Sequence, residues 1–438
     1  MTQQITFLTQ AGGACSGTIR VAGDKSMSHR AIMFGSIADG VTEVSGFLNG
    51  EDALATLRAF QALGVRIEGP TQGRVVIHGV GRQGLRAPSQ GLDLGNSGTS
   101  MRLLCGLLAG QSFDTVLTGD QSLSKRPMRR VTQPLITMGA HLETNSDGTA
   151  PIQIRGGQSL QGIQYEMPIA SAQVKSCLLL AGLYAQGSTT VIEPAPTRDH
   201  TERMLNGFGY EVNRDGAAAT LVGGGTLTAC TVDVPSDISS AAFFLVAASI
   251  AQNADLTLQH VGMNPTRIGV IHILQAMGAN ITIFNQREVG GEPVADLHVV
   301  SARLRGITIA EDQVPLAIDE FPVLFVAAAC AQGRTVLTGA EELRVKESDR
   351  IQVMADGLVV CGIQAEATPD GIVIDGGQLQ AGQVDSHGDH RIAMAFAVAG
   401  LCASGAIVIE DCANVSTSFP AFIALAQQVG MKVEQQTV

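Results

Sequence analysis

Six times along the chain a polar turn gives way to a run of small and apolar residues that ends on Gly or Asn. The runs are GDKSMSHRAIMFGSIADG from Gly23, GNSGTSMRLLCGLLAG from Gly95, SAQVKSCLLLAGLYAQG from Ser171, SDISSAAFFLVAASIAQN from Ser236, DEFPVLFVAAACAQG from Asp319 and GDHRIAMAFAVAGLCASG from Gly388. They end at Gly40, Gly110, Gly187, Asn253, Gly333 and Gly405, on average 73 residues apart, one sixth of the 438-residue chain. A repeat of fixed period sets the architecture before any single motif does. Within each period a second helical segment breaks at a glycine and re-enters a strand, as in ALGVRIEG, TMGAHLET, GFGYEV, AMGANITI, VCGIQAEA and QVGMKVEQ. Gly64, Gly139, Gly209, Gly278, Gly362 and Gly430 are therefore expected to end helices in the left-handed conformation that glycine adopts at low cost. Each unit predicts helix, strand, helix, strand, with hairpin strands between units. The first helix is apolar almost all round, as in AAFFLVAAS, which predicts burial on every side.

Two bodies of three units each follow from the period and from the absence of a Ser/Pro-rich linker. The cut is expected near residues 220–235, at the Gly-rich GGGTLTACTVDVPSD. The opening strand TIRVAG fits either body. Composition adds that the cores are aliphatic: hydrophobic residues make up 45%, aromatics 4%, and Trp is absent. A net charge of −12 argues against a nucleic-acid partner. No apolar run reaches the ~20 residues of a membrane span, and MTQQITFLTQ lacks the pattern of a signal peptide. Eight scattered cysteines without a CxxC pair read as reduced core thiols of a cytosolic protein, not disulfides or zinc ligands.

The helix starts carry the candidate chemistry. Lys25, Ser26, Ser28 and Arg30 precede the first buried helix, where free N–H groups and the dipole already favour an anion. Gly95 and Gly98 in the second loop allow close backbone approach. Lys125, Arg126, Arg129 and Arg130 make a basic island, with Pro127 expected to open the next helix. Ser171, Ala172 and Gln173 start the third buried helix, and Arg198 and His200 the helix after it. In the fourth unit Ser236 and Asp237 are accounted for by capping alone. In the fifth, Asp319 and Glu320 precede an apolar helix, and Lys346, Glu347 and Arg350 lie in the charged run EELRVKESDR, where helical spacing would put Lys346 and Arg350 on one face. In the sixth, His387, Asp389 and His390 resemble a metal pattern, but the spacing falls on a Gly-containing loop; Arg391 as an anion ligand is the favoured reading. Charge-lined helix starts from both bodies would suit substrates bearing several phosphates and carboxylates.

GDKSMSHR, LGNSGTSMRL, SLSKRPM, ASAQVKS, AIDEFP, RVKESDR and SHGDHRIAM together resemble the 5-enolpyruvylshikimate-3-phosphate synthase family across essentially the whole chain. The resemblance implies an α/β (α+β) enolpyruvyl transferase fold of two domains, each with three βαβαββ units around a pseudo-three-fold axis. It implies residues 1–22 plus 235–438 in one domain, 23–234 in the other, and an active site in the cleft between them. It further implies transfer of the carboxyvinyl group of phosphoenolpyruvate to the 5-hydroxyl of shikimate 3-phosphate, by addition and elimination through a tetrahedral intermediate. Shikimate 3-phosphate would meet Lys25, Ser26, Arg30, Ser171, Ala172, Gln173, Arg198, Asp319 and Lys346. Phosphoenolpyruvate would meet Lys25, Gly98, Arg126, Gln173, Arg350 and Arg391. Asp319 would act as base and Glu347, with Lys25 near, as acid. No metal or organic cofactor is implied, and a cytoplasmic monomer is expected. The herbicide glyphosate is expected in the phosphoenolpyruvate subsite.

The chain departs from many relatives at Val415–Pro420, where Ser and Thr stand in place of a Lys, and at Ser100-Met101-Arg102-Leu103-Leu104, where another branch has Pro after the Arg. Both point to a divergent branch. Two other readings are compatible with the residues: a UDP-N-acetylglucosamine enolpyruvyl transferase, against which the absence of a Cys in the Lys125–Arg130 loop speaks, and a non-catalytic anion-binding repeat scaffold.

Overall fold

The computed structural model describes residues 5–437. The chain forms two compact units, each with its own apolar core. An inserted unit comprises Gly23–Val234 together with Val289–Glu292. A split unit runs through Ala22, resumes at Pro235–Glu288 and closes with the stretch from Pro293.

Each unit repeats one motif three times, with the leading strand reduced to the isolated bridges Arg305–Gln332 and Thr308–Val336 in the repeat built on Phe321–Ala329. A strand leads into a buried helix, a second strand pairs parallel to the first, an outer helix follows, and a hairpin returns antiparallel. In the inserted unit the buried helices are Lys25–Ile37, Gly98–Ala109 and Ala172–Gly182. The sheet of the second repeat shows the order plainly: Leu92–Asp93, Thr115–Thr118, Ile152–Arg155, His141–Glu143. The first repeat borrows its leading strand from the end of the third, since Thr231–Asp233 pairs parallel with Ala38–Ser45.

In the split unit the buried helices are Ile238–Ile250, Phe321–Ala329 and His390–Ala399. Strand Ser16–Ile19 leads its first sheet, parallel to Asp255–Gly262. Strand Ile5–Gln10 fills the last sheet between Ile407–Glu410 and Lys432–Thr437, with Phe7 opposite Ile409 on one side and Gln435 on the other. The two strands that open the chain thus complete sheets begun more than two hundred residues later.

The local signals behave as their chemistry requires. All six glycines expected to end helices have positive φ, from 76° at Gly209 to 97° at Gly139 and Gly278. Every residue of the Ile238–Ser249 stretch is buried. Polar caps hold the starts: Asp24 accepts from the Met27 N–H at 2.8 Å, and Ser97 and Ser171 accept from the N–H three residues on. Two expectations fail. Pro127 does not open a helix; the next one starts at Arg129, two residues on. The EELRVKESDR run is not one helix. Glu341–Val345 is a 3-10 turn, the chain breaks at Lys346, and the α-helix begins only at Arg350 behind the Asp349 cap. Lys346 and Arg350 therefore share no helix face.

One buried group makes stability depend on pH. His29 is fully buried in the first inner helix, with Nδ1 2.7 Å from Thr56 Oγ1. Burial, opposed by Asp52 and reinforced by Lys25 and Arg30, lowers its pKa from 6.5 to about 3. The unfolded chain takes up this proton below pH 6.5 and the folded chain does not until about pH 3. Stability from this group is complete above pH 6.5 and falls between those limits, by at most ~1.4 kcal/mol per pH unit. Denaturant unfolding of His29→Asn should show a shallower acid slope in that window by up to one proton; an unchanged slope would contradict neutral burial.

Candidate active site

In the inserted unit the first helix start is organised around Arg30. Its guanidinium is buried and donates to Thr201 Oγ1 at 2.7 Å, to Ser176 Oγ at 2.8 Å and to the Ser26 carbonyl at 3.0 Å. Desolvation, with the positive charge of Arg198 as a smaller contribution, lowers its pKa to about 10 despite the opposing field of Glu202 and Asp24. Arg30 and Arg198 thus contribute positive potential to the same place. Lys25, in the first turn, pairs with Asp52 at 3.0 Å.

The second and third helix starts are tied together by Gln173. Its Nε2 donates to Thr99 Oγ1 at 3.1 Å, and Arg102 Nη1 donates to its Oε1 at 2.5 Å. Arg126 donates to Asn96 Oδ1 at 2.7 Å, which turns it toward the Asn96–Gly98 loop. Its neighbours in the basic island do otherwise: Lys125 is exposed and Arg129 donates to the Ser146 carbonyl. Gly98 sits where these groups converge. A methyl group there would lie 3.2 Å from Arg126 Nη1 and 3.3 Å from Arg102 Nη1.

In the split unit one guanidinium collects three carboxylates. Arg350 is buried, at 1% exposure. Its Nε lies 2.8 Å from Asp389 Oδ2, its Nη2 2.7 Å from Glu347 Oε2, and its Nη1 3.4 Å from Asp319 Oδ1. Burial alone would lower its pKa, but Asp389, Glu347 and Asp319 outweigh it and raise the pKa above the ordinary range. Lys346 Nζ approaches Asp319 at 3.8 Å and Glu342 at 3.5 Å. Arg391 donates to the Asp319 carbonyl at 2.8 Å and lies 3.7 Å from Glu320. So Asp319, Lys346, Glu347, Arg350 and Arg391 form one cluster, although Lys346 and Arg350 meet through a shared carboxylate and not along a helix.

The EPSP synthase (3-phosphoshikimate 1-carboxyvinyltransferase) family model matches residues 9–425. The chain belongs to this family. The 3-phosphoshikimate 1-carboxyvinyltransferase of Methylococcus capsulatus is 65% identical over 432 residues, 99% of each chain. That of Alkalilimnicola ehrlichii is 67% identical over 426 residues, 97% of this chain and 96% of its own. The solved EPSP synthase of Acinetobacter baumannii matches with a TM-score of 0.91 at 59% identity, covering 99% of this chain and 100% of that one. The fold is the two-domain enolpyruvyl transferase fold. The activity is 3-phosphoshikimate 1-carboxyvinyl transfer, a transferase step of the shikimate pathway and aromatic amino acid biosynthesis, and its substrates are shikimate 3-phosphate and phosphoenolpyruvate.

Membership of the EPSP synthase family frames what the sequence left out. Asp389, read as part of a metal-like pattern, is Arg350's closest buried partner; among the described residues no cluster of three metal-binding side chains occurs. Arg102 carried no separate signal but orients Gln173. Behind the third helix start, buried Lys175 lies 2.9 Å from buried Glu193 and 2.8 Å from buried Glu202, and the exposed Arg214 pairs with both carboxylates from the solvent side. Arg267 pairs with Asp237 at 2.8 Å and Ser239 at 2.7 Å, so more than capping operates in the fourth unit. In Val415–Ser418, Ser416 and Thr417 bond back to the Ala413 and Asn414 carbonyls, while Asn414 donates to the Gly388 carbonyl.

Proposed function

We propose that residues of both units serve one substrate pair. Shikimate 3-phosphate is held by Lys25, Ser26, Arg30, Ser171, Ala172, Gln173 and Arg198 of the inserted unit with Asp319 and Lys346 of the split unit. Phosphoenolpyruvate is held by Lys25, Gly98, Arg126 and Gln173 with Arg350 and Arg391. Two phosphates and two carboxylates repel one another, and Arg and Lys at these positions offset that repulsion through charge-assisted hydrogen bonds. Asp319 takes the proton of the 5-hydroxyl as it attacks carbon 2. Glu347, with Lys25 near, gives a proton to carbon 3, and the tetrahedral intermediate then expels phosphate. The observation that carries this reading is the pair of carboxylates, Asp319 and Glu347, on separate nitrogens of one buried guanidinium. Two groups so fixed can serve opposite ends of one proton-coupled addition. The Glu347 side chain is 28% exposed and the Asp319 side chain 17%, so both remain open to a ligand. A cytoplasmic monomer that needs no cofactor completes the reading; no helix among the described residues is long and apolar enough to cross a membrane.

The phosphoenolpyruvate assignment has a direct test in glyphosate, a longer molecule proposed for the same subsite. Gly98 has ordinary helical backbone, so Gly98→Ala strains nothing locally; its methyl group presses on Arg126 and Arg102. Inhibition of the parent enzyme should be competitive with phosphoenolpyruvate. In Gly98→Ala the inhibition constant should rise at least ~10-fold more than the KM for phosphoenolpyruvate, about 1.4 kcal/mol of discrimination. Equal losses for both ligands would remove Gly98 from the assignment.

A further inference from the structure

Cys330 and Cys402 form a thiol pair outside the transfer chemistry. Cys330 caps the Phe321–Ala329 helix, and Cys402 ends the 3-10 turn Gly400–Cys402 directly after the His390–Ala399 helix. These two helices pack against each other in the split unit. The two thiols are close enough that each shifts the other's titration. Cys402 Sγ also lies 3.3 Å from the Ile250 carbonyl at the end of the Ile238–Ile250 helix. Both cysteines are partly exposed, and both line a cavity of about 750 Å³ with Gly12, Asn253, Arg303 and Gln378.

We propose that Cys330 and Cys402 are a reversible dithiol–disulfide site, oxidised by a small disulfide that reaches them through this cavity. The influence of each thiol on the other gives the reaction a direction. It lowers the Cys402 pKa against the effect of burial and, with burial, raises that of Cys330. The thiolate is the attacking form, so Cys402 reacts first. Cys402 loses its proton and its sulfur attacks one sulfur of the small disulfide; a mixed disulfide forms and one small thiolate leaves. Cys330 then loses its proton and attacks the Cys402 sulfur, expelling the second small thiolate. Two protein thiols are oxidised and one small disulfide is reduced to two thiols.

Two internal controls exist. Cys105 and Cys177 lie close enough to interact in the inserted unit, but both are fully buried, and burial raises the Cys105 pKa to about 12. Cys230 is partly exposed, like the proposed pair. The test treats the full-length enzyme with oxidised glutathione, blocks free thiols with iodoacetamide and maps peptides by mass spectrometry. A Cys330–Cys402 cross-linked peptide, lost on adding dithiothreitol, is expected. Cys330→Ser should instead stop at a glutathione adduct on Cys402. Free, alkylated Cys330 and Cys402 in the parent enzyme, a glutathione adduct that stays on Cys402 there, or oxidation confined to Cys230 would each overturn the proposal. If the Ser variant does not fold, the parent map decides by itself, with Cys402→Ala, expected to form neither product, as the second variant.

Discussion

Glu347→Gln should lower kcat by about 10²–10⁴, the range for loss of a general acid or base, while changing either KM far less. The two side chains are nearly the same size, and the amide oxygen of the variant can still accept from Arg350. Arg350 itself keeps its contacts to Asp389 at 2.8 Å and to Asp319 at 3.4 Å. What is lost is a carboxyl that can give and regain a proton. Phosphate release under saturating substrates measures this. A variant with most of its turnover intact would show that the proton reaches carbon 3 from elsewhere.

Asp389→Ala should be the most destabilising single change in the site. Asp389 is fully buried, receives two nitrogens of Arg350, accepts from Ser348 Oγ at 3.1 Å, and caps its own helix by accepting from the Arg391 N–H at 2.9 Å. Its removal leaves Arg350 buried with less compensating charge, which costs about 3–5 kcal/mol, and a lost cap adds about 1 kcal/mol. Asp389→Asn keeps the cap acceptor and should cost less. Urea unfolding followed by circular dichroism gives the comparison. Equal stability of parent and Asp389→Ala would mean that Arg350 is held by Glu347 and Asp319 alone.

What the sequence made legible was local or periodic. The cap glycines, the all-apolar inner helices and the polar helix starts depend on a few consecutive residues, and the six-fold recurrence multiplied each weak signal. Interactions between distant residues were not legible. Nothing near Arg30 points to Thr201, 171 positions on, and nothing near Arg350 singles out Asp389, 39 positions on. The assignment of Ile5–Gln10 to a sheet with Lys432–Thr437 lies likewise beyond any local pattern. The charged run before Arg350 misled because i,i+4 spacing is equally available to a broken turn. Its Lys and Arg meet only because Asp319, from another loop, lies between them.

In the proposed reaction the site selects shikimate 3-phosphate as acceptor and breaks the carbon–oxygen bond of phosphoenolpyruvate. Phosphate release from phosphoenolpyruvate, followed with shikimate 3-phosphate and separately with UDP-N-acetylglucosamine as acceptor, tests this most directly. Release with shikimate 3-phosphate alone is the predicted result; release with the sugar nucleotide, or with neither acceptor, would contradict it.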